Sequence, residues 1–128
     1  AADEAALRSA ISRAYYACHL GIRKIVFENC DKSKSAKEFR SERGISHEKL
    51  LRYLQGSADK DVQKLGDDLA GLLGIRGVAD YDMSRTIARE DADDAIEIAE
   101  NILKSCDPAE IGKAVDEWIT RAYSHSVS

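Results

Sequence analysis

Proline occurs once in 128 residues, glycine eight times, and aromatic residues make up only 6% of the chain. A sequence so short of turn formers is neither a turn-dense all-β domain nor a collagen-like or linker segment. No run approaches the roughly 18 consecutive apolar residues of a membrane span. No signal-peptide pattern opens the chain. Methionine is missing from the start, and Ala1-Ala2-Asp3 is expected to follow a trimmed native start. The three cysteines, Cys18, Cys30 and Cys106, are odd in number and form no C-x-x-C pair. That pattern predicts free thiols in a reducing cytoplasm. Basic residues are outnumbered, 19 against 23 acidic ones, for a net charge of −4. This excludes a uniformly basic nucleic-acid coat and leaves room for a local basic cleft.

What is present is a foldable balance of 44% apolar and 33% charged residues, sized for a single domain over 1–128. The apolar pattern is helical nearly throughout. Leu7, Ile11, Ala14, Cys18, Ile22 and Ile25 recur at three- and four-residue steps and predict one helix from about Asp3 to Phe27. Residues 30–45, CDKSKSAKEFRSERGI, show no helical face and are locally basic. They predict a mobile loop, either a solvated linker or a substrate-facing flap. Ser46 is placed to cap a short helix carrying Leu50, Leu51 and Leu54, which Gly56 ends.

A further helix is expected from Ser57, with Val62, Leu65, Leu69, Leu72, Ile75 and Val78 on its apolar face. Gly66 and Gly71 fit close helix packing there. Gly74 and Gly77 predict loosening toward a turn over 79–88. The next helix begins near Arg89, with Ala92, Ala95, Ile96, Ala99, Ile102 and Leu103 as its buried stripe. Its acidic cluster, Glu90 to Glu100, suits a positive helix start and a solvated face; magnesium ligation is the alternative. Asp107-Pro108 predicts an additional C-terminal helix over 108–123, packed through Ile111, Val115, Trp118, Ile119 and Ala122. The expectation is an all-α, up-and-down bundle of four main helices and one short one.

Common chemistries have no foothold. His19, His47 and His125 match no zinc spacing, and neither a phosphate loop nor a G-x-S-x-G elbow occurs. No metal or cofactor is expected. Two polar clusters stand out. Ser12-Arg13-Ala14-Tyr15-Tyr16 interrupts a core-forming helix, with Arg13 and Tyr16 on a shared face and Tyr15 nearer the apolar stripe. Arg76-Gly77-Val78-Ala79-Asp80-Tyr81-Asp82 places an arginine, two aspartates and a tyrosine at a helix end. One reading is an Arg–Asp ion pair beside a packed tyrosine. The other has Arg76 contacting a phosphate while Tyr81 stacks on, or hydrogen-bonds to, a nucleotide.

These clusters carry a family resemblance. The segment ALRSAISRAYYACHLGIRK resembles the signature helix of the HEPN family (higher eukaryotes and prokaryotes nucleotide-binding domain), particularly its small prokaryotic members with an S-R-A-Y-Y-A core. His47 at the start of a short helix, Arg76 ahead of A-D-Y-D, and the closing helix EDADDAIEIAENIL agree in order. The likeness covers residues 4 to about 105; the helix that usually precedes the signature helix is missing. It implies a helical bundle, often a two-fold dimer, of either toxin or defence ribonucleases or RNA- and nucleotide-binding partners of a small nucleotidyltransferase.

In the ribonuclease branch an arginine is followed a few residues later by a histidine, one stabilising phosphate charge and the other moving the 2′-OH proton. Here none of Gly77 to Met83 is a histidine. Arg13 and His19 have a comparable spacing but lie in the signature helix. The resulting expectation is a cytoplasmic domain, toxin–antitoxin or defence associated and not an efficient nuclease. It would bind RNA, a nucleotide or a protein partner through a groove lined by Arg13, Tyr16, His47, Arg76, Asp80 and Tyr81. A metal-independent ribonuclease using Arg76 and His47 is the first alternative. A purely structural, protein-interaction bundle is the second.

Overall fold

A computed structural model describes residues 3–124. His125 lies outside them. Among the described residues six α-helices follow one another: α1 (Glu4–Asn29), α2 (Lys32–Ser35), α3 (His47–Gln55), α4 (Lys60–Tyr81), α5 (Arg89–Lys104) and α6 (Pro108–Ser124). No strand occurs among the described residues. Four helices are long, so the all-α bundle read from the sequence is the observed architecture, with the single turn of α2 added to it. No helix among the described residues is long and apolar enough to cross a membrane.

α1 is the central element, packing against α4, α5 and α6, while α3 packs against α4 and α6. Enclosure on several sides widens its buried stripe beyond the predicted one: Ile11, Cys18 and Ile22 are joined by Tyr15, His19 and Val26. The caps are local and agree with the sequence. Ser46 Oγ accepts from the Lys49 backbone N–H, Gly56 closes α3, and Asp107 Oδ1 accepts from the N–H groups of Ala109 and Glu110 at the start of α6. All three cysteines are free thiols, with Cys18 and Cys30 buried.

Four expectations need correction. α4 starts at Lys60 rather than at Ser57, because Asp59 Oδ1 accepts from the N–H groups of Asp61 and Val62 and is the true cap. α4 also runs through Gly74 and Gly77 to Tyr81, so the connection to α5 is shorter than residues 79–88. Ile96 and Leu103 are 39% and 45% exposed and do not belong to the buried stripe of α5, nor does the exposed Ala122 belong to that of α6. Finally, residues 30–45 are not devoid of structure. They contain α2 and a 3-10 turn at Glu42–Gly44, and they bury Ser35, Phe39 and Ile45. Glu38 fastens this segment to two helices, its carboxylate accepting from the hydroxyls of Tyr53 (2.9 Å) and Tyr123 (2.8 Å).

The far end of α4 is held by α1. The Arg8 guanidinium, almost wholly buried, donates to the carbonyls of Ala79 (2.9 Å), Asp82 (3.1 Å), Val78 (3.3 Å) and Arg85, and pairs with Glu4 at 2.9 Å. Glu4 in turn accepts from the Ile87 N–H. The bond to Ala79 satisfies a carbonyl that the end of α4 leaves open, and those to Asp82 and Arg85 tie down the chain that follows. They also fix the stretch of backbone that displays Arg76, Asp80 and Tyr81.

Candidate functional site

Helical spacing on α4 sets the first part of the site. Arg76 and Asp80 are one turn apart, and Arg76 Nε lies 2.7 Å from Asp80 Oδ2. The approach is off the N–H axis, so the contact is one of charge rather than an aligned hydrogen bond. Ser12 Oγ of α1 reaches the same Asp80 oxygen at 3.4 Å. The Arg76 Nη2 atom donates to Tyr16 Oη at 3.0 Å and reaches Tyr81 Oη at 3.5 Å. Its guanidinium carbon sits 5.0 Å from the Tyr16 ring centre and 5.5 Å from that of Tyr81. Burial works against the Arg76 charge. Tyr16, Tyr81 and Asp80 outweigh that effect and hold the guanidinium protonated.

α3 supplies the second part. Its first residue, His47, lies edge-on to Tyr16 with ring centres 5.8 Å apart, so one tyrosine ring touches both His47 and Arg76. His47 Nδ1 is 2.5 Å from the hydroxyl of buried Tyr15. On its other side His47 stacks on His19, with centroids 3.9 Å apart and planes 14° apart.

His19 is 2% exposed and its Nδ1 has no hydrogen-bond partner. Burial chiefly, then the charges of His47 and Arg23, push its pKa down to about 4. His47 is shifted down as well, by burial first and then by Arg76 and Arg23. Burial pushes Tyr15 up to about 12. At neutral pH the site therefore presents neutral imidazoles, the protonated phenol of Tyr15 and a fixed guanidinium.

The structure brings together Tyr16, His47, Arg76, Asp80 and Tyr81 from three helices. The expected Arg–Asp ion pair is present and joins Arg76 to Asp80, but the tyrosine packed beside it is Tyr16; Tyr81 is 74% exposed. Arg13 stands apart, exposed on α1, with no hydrogen bond or ion pair to the cluster among the described residues. His19 and Arg23 were absent from the expected lining. A signal for them existed in Tyr15, His19 and Arg23, spaced four apart on one face of α1.

No curated protein and no solved structure matches this chain significantly. A family model for the HEPN domain matches residues 1–109, leaving nearly all of α6 beyond the match. With that match covering most of its length, and with its all-helical architecture, the chain belongs to the HEPN domain family.

Proposed function

We propose that Arg76 and the residues gathered around it from α1, α3 and α4 form a cleft that captures a phosphate of RNA or of a nucleotide, with Arg76 as its cationic contact. One observation carries this reading. A single guanidinium is held in place by two tyrosine hydroxyls and an aspartate, between one packed and one exposed aromatic ring. An incoming phosphate offers that guanidinium stronger, charge-assisted bonds than the phenols do. The exposed Tyr81 ring supplies a face on which a base stacks.

The ribonuclease alternative draws on the closeness of His47 to the same tyrosine as Arg76. Tyr15 argues for binding instead. A buried, protonated phenol must give its proton to an acceptor, and His47 Nδ1 at 2.5 Å is that acceptor. The ring proton then sits on Nε2. In this tautomer His47 offers the groove a donor for a phosphate oxygen rather than a base for a 2′-OH.

The family supplies the setting of the proposal: a toxin–antitoxin or defence role, with a small nucleotidyltransferase-type protein as partner. A second copy of the chain is the proposed cover for the exposed Leu20, Ile96 and Leu103, and sedimentation velocity tests it.

The deciding experiment uses a labelled single-stranded RNA and purified protein in EDTA, scoring binding and cleavage together. The parent should shift the RNA without cutting it, and Arg76→Ala should melt normally yet bind the RNA more weakly and with a smaller salt dependence. Cutting that disappears in both Arg76→Ala and His47→Ala would establish the nuclease instead. Neither shift nor cutting would leave the protein-interaction bundle.

A further inference from the structure

We propose that Arg23 is a second phosphate contact of this cleft, and that the Glu42 carboxylate occupies it until a ligand carrying two phosphate groups displaces it. The inference rests on the phosphate-binding reading of Arg76 and extends it along α1. Tyr15, His19 and Arg23 follow one another at single-turn steps, a rise of about 12 Å from first to last. From Arg76 the contacts run through Tyr16 to His47, then through the 3.9 Å stack to His19, and Arg23 stands one turn further on. Two guanidinium groups thus bracket a pair of stacked imidazoles. The positive charge of Arg23 disfavours protonation of both histidines and that of Arg76 disfavours it at His47, in keeping with that order.

The present partner of Arg23 holds it loosely. Glu42 Oε1 is 3.6 Å from Arg23 Nε, well beyond the roughly 2.7–2.9 Å of a charge-assisted hydrogen bond. Nε itself is buried without a hydrogen bond, while the side chain as a whole stays 20% exposed. Asp80 is closer to Arg76, at 2.7 Å, yet it too leaves the arginine Nε without an aligned hydrogen bond. Each cation is therefore neutralised by a carboxylate that leaves hydrogen-bonding capacity unused. A phosphate, with more acceptor oxygens, can use it. Glu42 lies in the 3-10 turn of the basic 30–45 segment, so its withdrawal opens the Arg23 side of the cleft without disturbing a long helix. The ligand chemistry is two neighbouring phosphates, found in an RNA backbone or in a nucleoside polyphosphate.

The test measures the affinity of the full chain for a labelled single-stranded RNA across a salt series, with ATP as competitor. Each phosphate contact on a single strand contributes about 0.7 to the slope of log K against log salt. Arg23→Gln and Arg76→Gln should each lower the slope by about 0.7, and the double variant by about twice that. Arg23→Lys should keep the parent slope. Glu42→Gln should tighten binding severalfold at fixed salt. That substitution is at a surface turn, and it decides the matter alone should Arg23→Gln fail to fold.

Displacement of RNA by ATP in the parent, lost in Arg23→Gln, identifies free polyphosphate as the source. Resistance to ATP, with the slope still reduced in Arg23→Gln, identifies the RNA backbone. An unchanged slope in Arg23→Gln, or no gain in Glu42→Gln, overturns the role of Arg23 while Arg76 keeps its own. Absence of salt-sensitive binding by the parent overturns both.

Discussion

Tyr15 of α1 and His47 of α3, 32 positions apart, meet in a 2.5 Å hydrogen bond whose direction sets the tautomer of the imidazole. With Nδ1 occupied by the phenol, the ring proton belongs on Nε2. Long-range nitrogen–proton NMR of the histidines should show this tautomer in the parent at neutral pH. Tyr15→Phe should lose about 1–2 kcal/mol of stability and release His47 to a mixture of tautomers. Finding the Nδ1–H form in the parent would make His47 a competent base and turn the proposal toward ribonuclease chemistry.

The stacked histidines make stability depend on pH with a defined sign. His19 is neutral in the folded chain, its pKa pushed down to about 4 by burial, by His47 and by Arg23. An unfolded histidine titrates near its ordinary value of about 6.5. Between these two values the unfolded chain binds more protons, so stability falls as pH drops from about 6.5 toward 4 and is fully retained above. The loss from this residue is roughly 3 kcal/mol at most. His47, shifted in the same direction, adds to it. Urea titrations at stepped pH should show the decline in the parent and a shallower one in His19→Phe, which keeps a ring against His47. Parallel profiles would mean that His19 does not titrate between those limits.

How much of this was visible in the sequence depends on whether the cause is local. Ser46 and Asp107-Pro108 announced helix starts because a cap acts on the residues that follow it. The steps of Ile11, Cys18 and Ile22 announced α1 because a helix repeats its own face. The end of α4 was hidden. Its stabiliser is Arg8, whose bond to the Val78 carbonyl spans 70 positions and leaves no mark beside the glycines it overrides. The site divides in the same way. Arg76, Asp80 and Tyr81 share one helix end and were named together. The approach of His47 to His19 depends on how α3 crosses α1, and no spacing encodes it.

Arg8 and Arg13, five positions apart on one helix, should behave oppositely. Arg8 is buried and donates to four backbone carbonyls as well as to Glu4. Arg8→Ala leaves the Ala79 and Arg85 carbonyls without this donor, weakens the hold on Val78 and Asp82, and should destabilise the domain by about 3 kcal/mol. It should also loosen the display of Tyr81, read as faster amide exchange from Val78 to Ile87. Arg13→Ala removes an exposed side chain outside the cluster and should stay within about 0.5 kcal/mol of the parent. A large loss at Arg13 would place it in a network the structure does not contain.

Glycines on α4 give the sharpest contrast within one element. At Gly66 an added Cβ would stand 2.7 Å from Leu54 Cβ and 2.8 Å from the Gln55 backbone nitrogen, so α3 and α4 can approach only without it. Gly66→Ala should therefore cost about 1–3 kcal/mol through overpacking. At Gly74 and Gly77 nothing lies within 4 Å of an added Cβ, and both positions are inside the helix. Alanine there meets no neighbour and restricts the unfolded chain, so each change should stabilise by about 0.4–1 kcal/mol. Thermal melts of the three single variants check the signs. Gly77 is next to Arg76, so Gly77→Ala also asks whether the cleft needs a pliable helix. Unchanged RNA affinity with a higher melting temperature would show that the arginine is positioned by Arg8 and the tyrosines, with no contribution from local softness of α4.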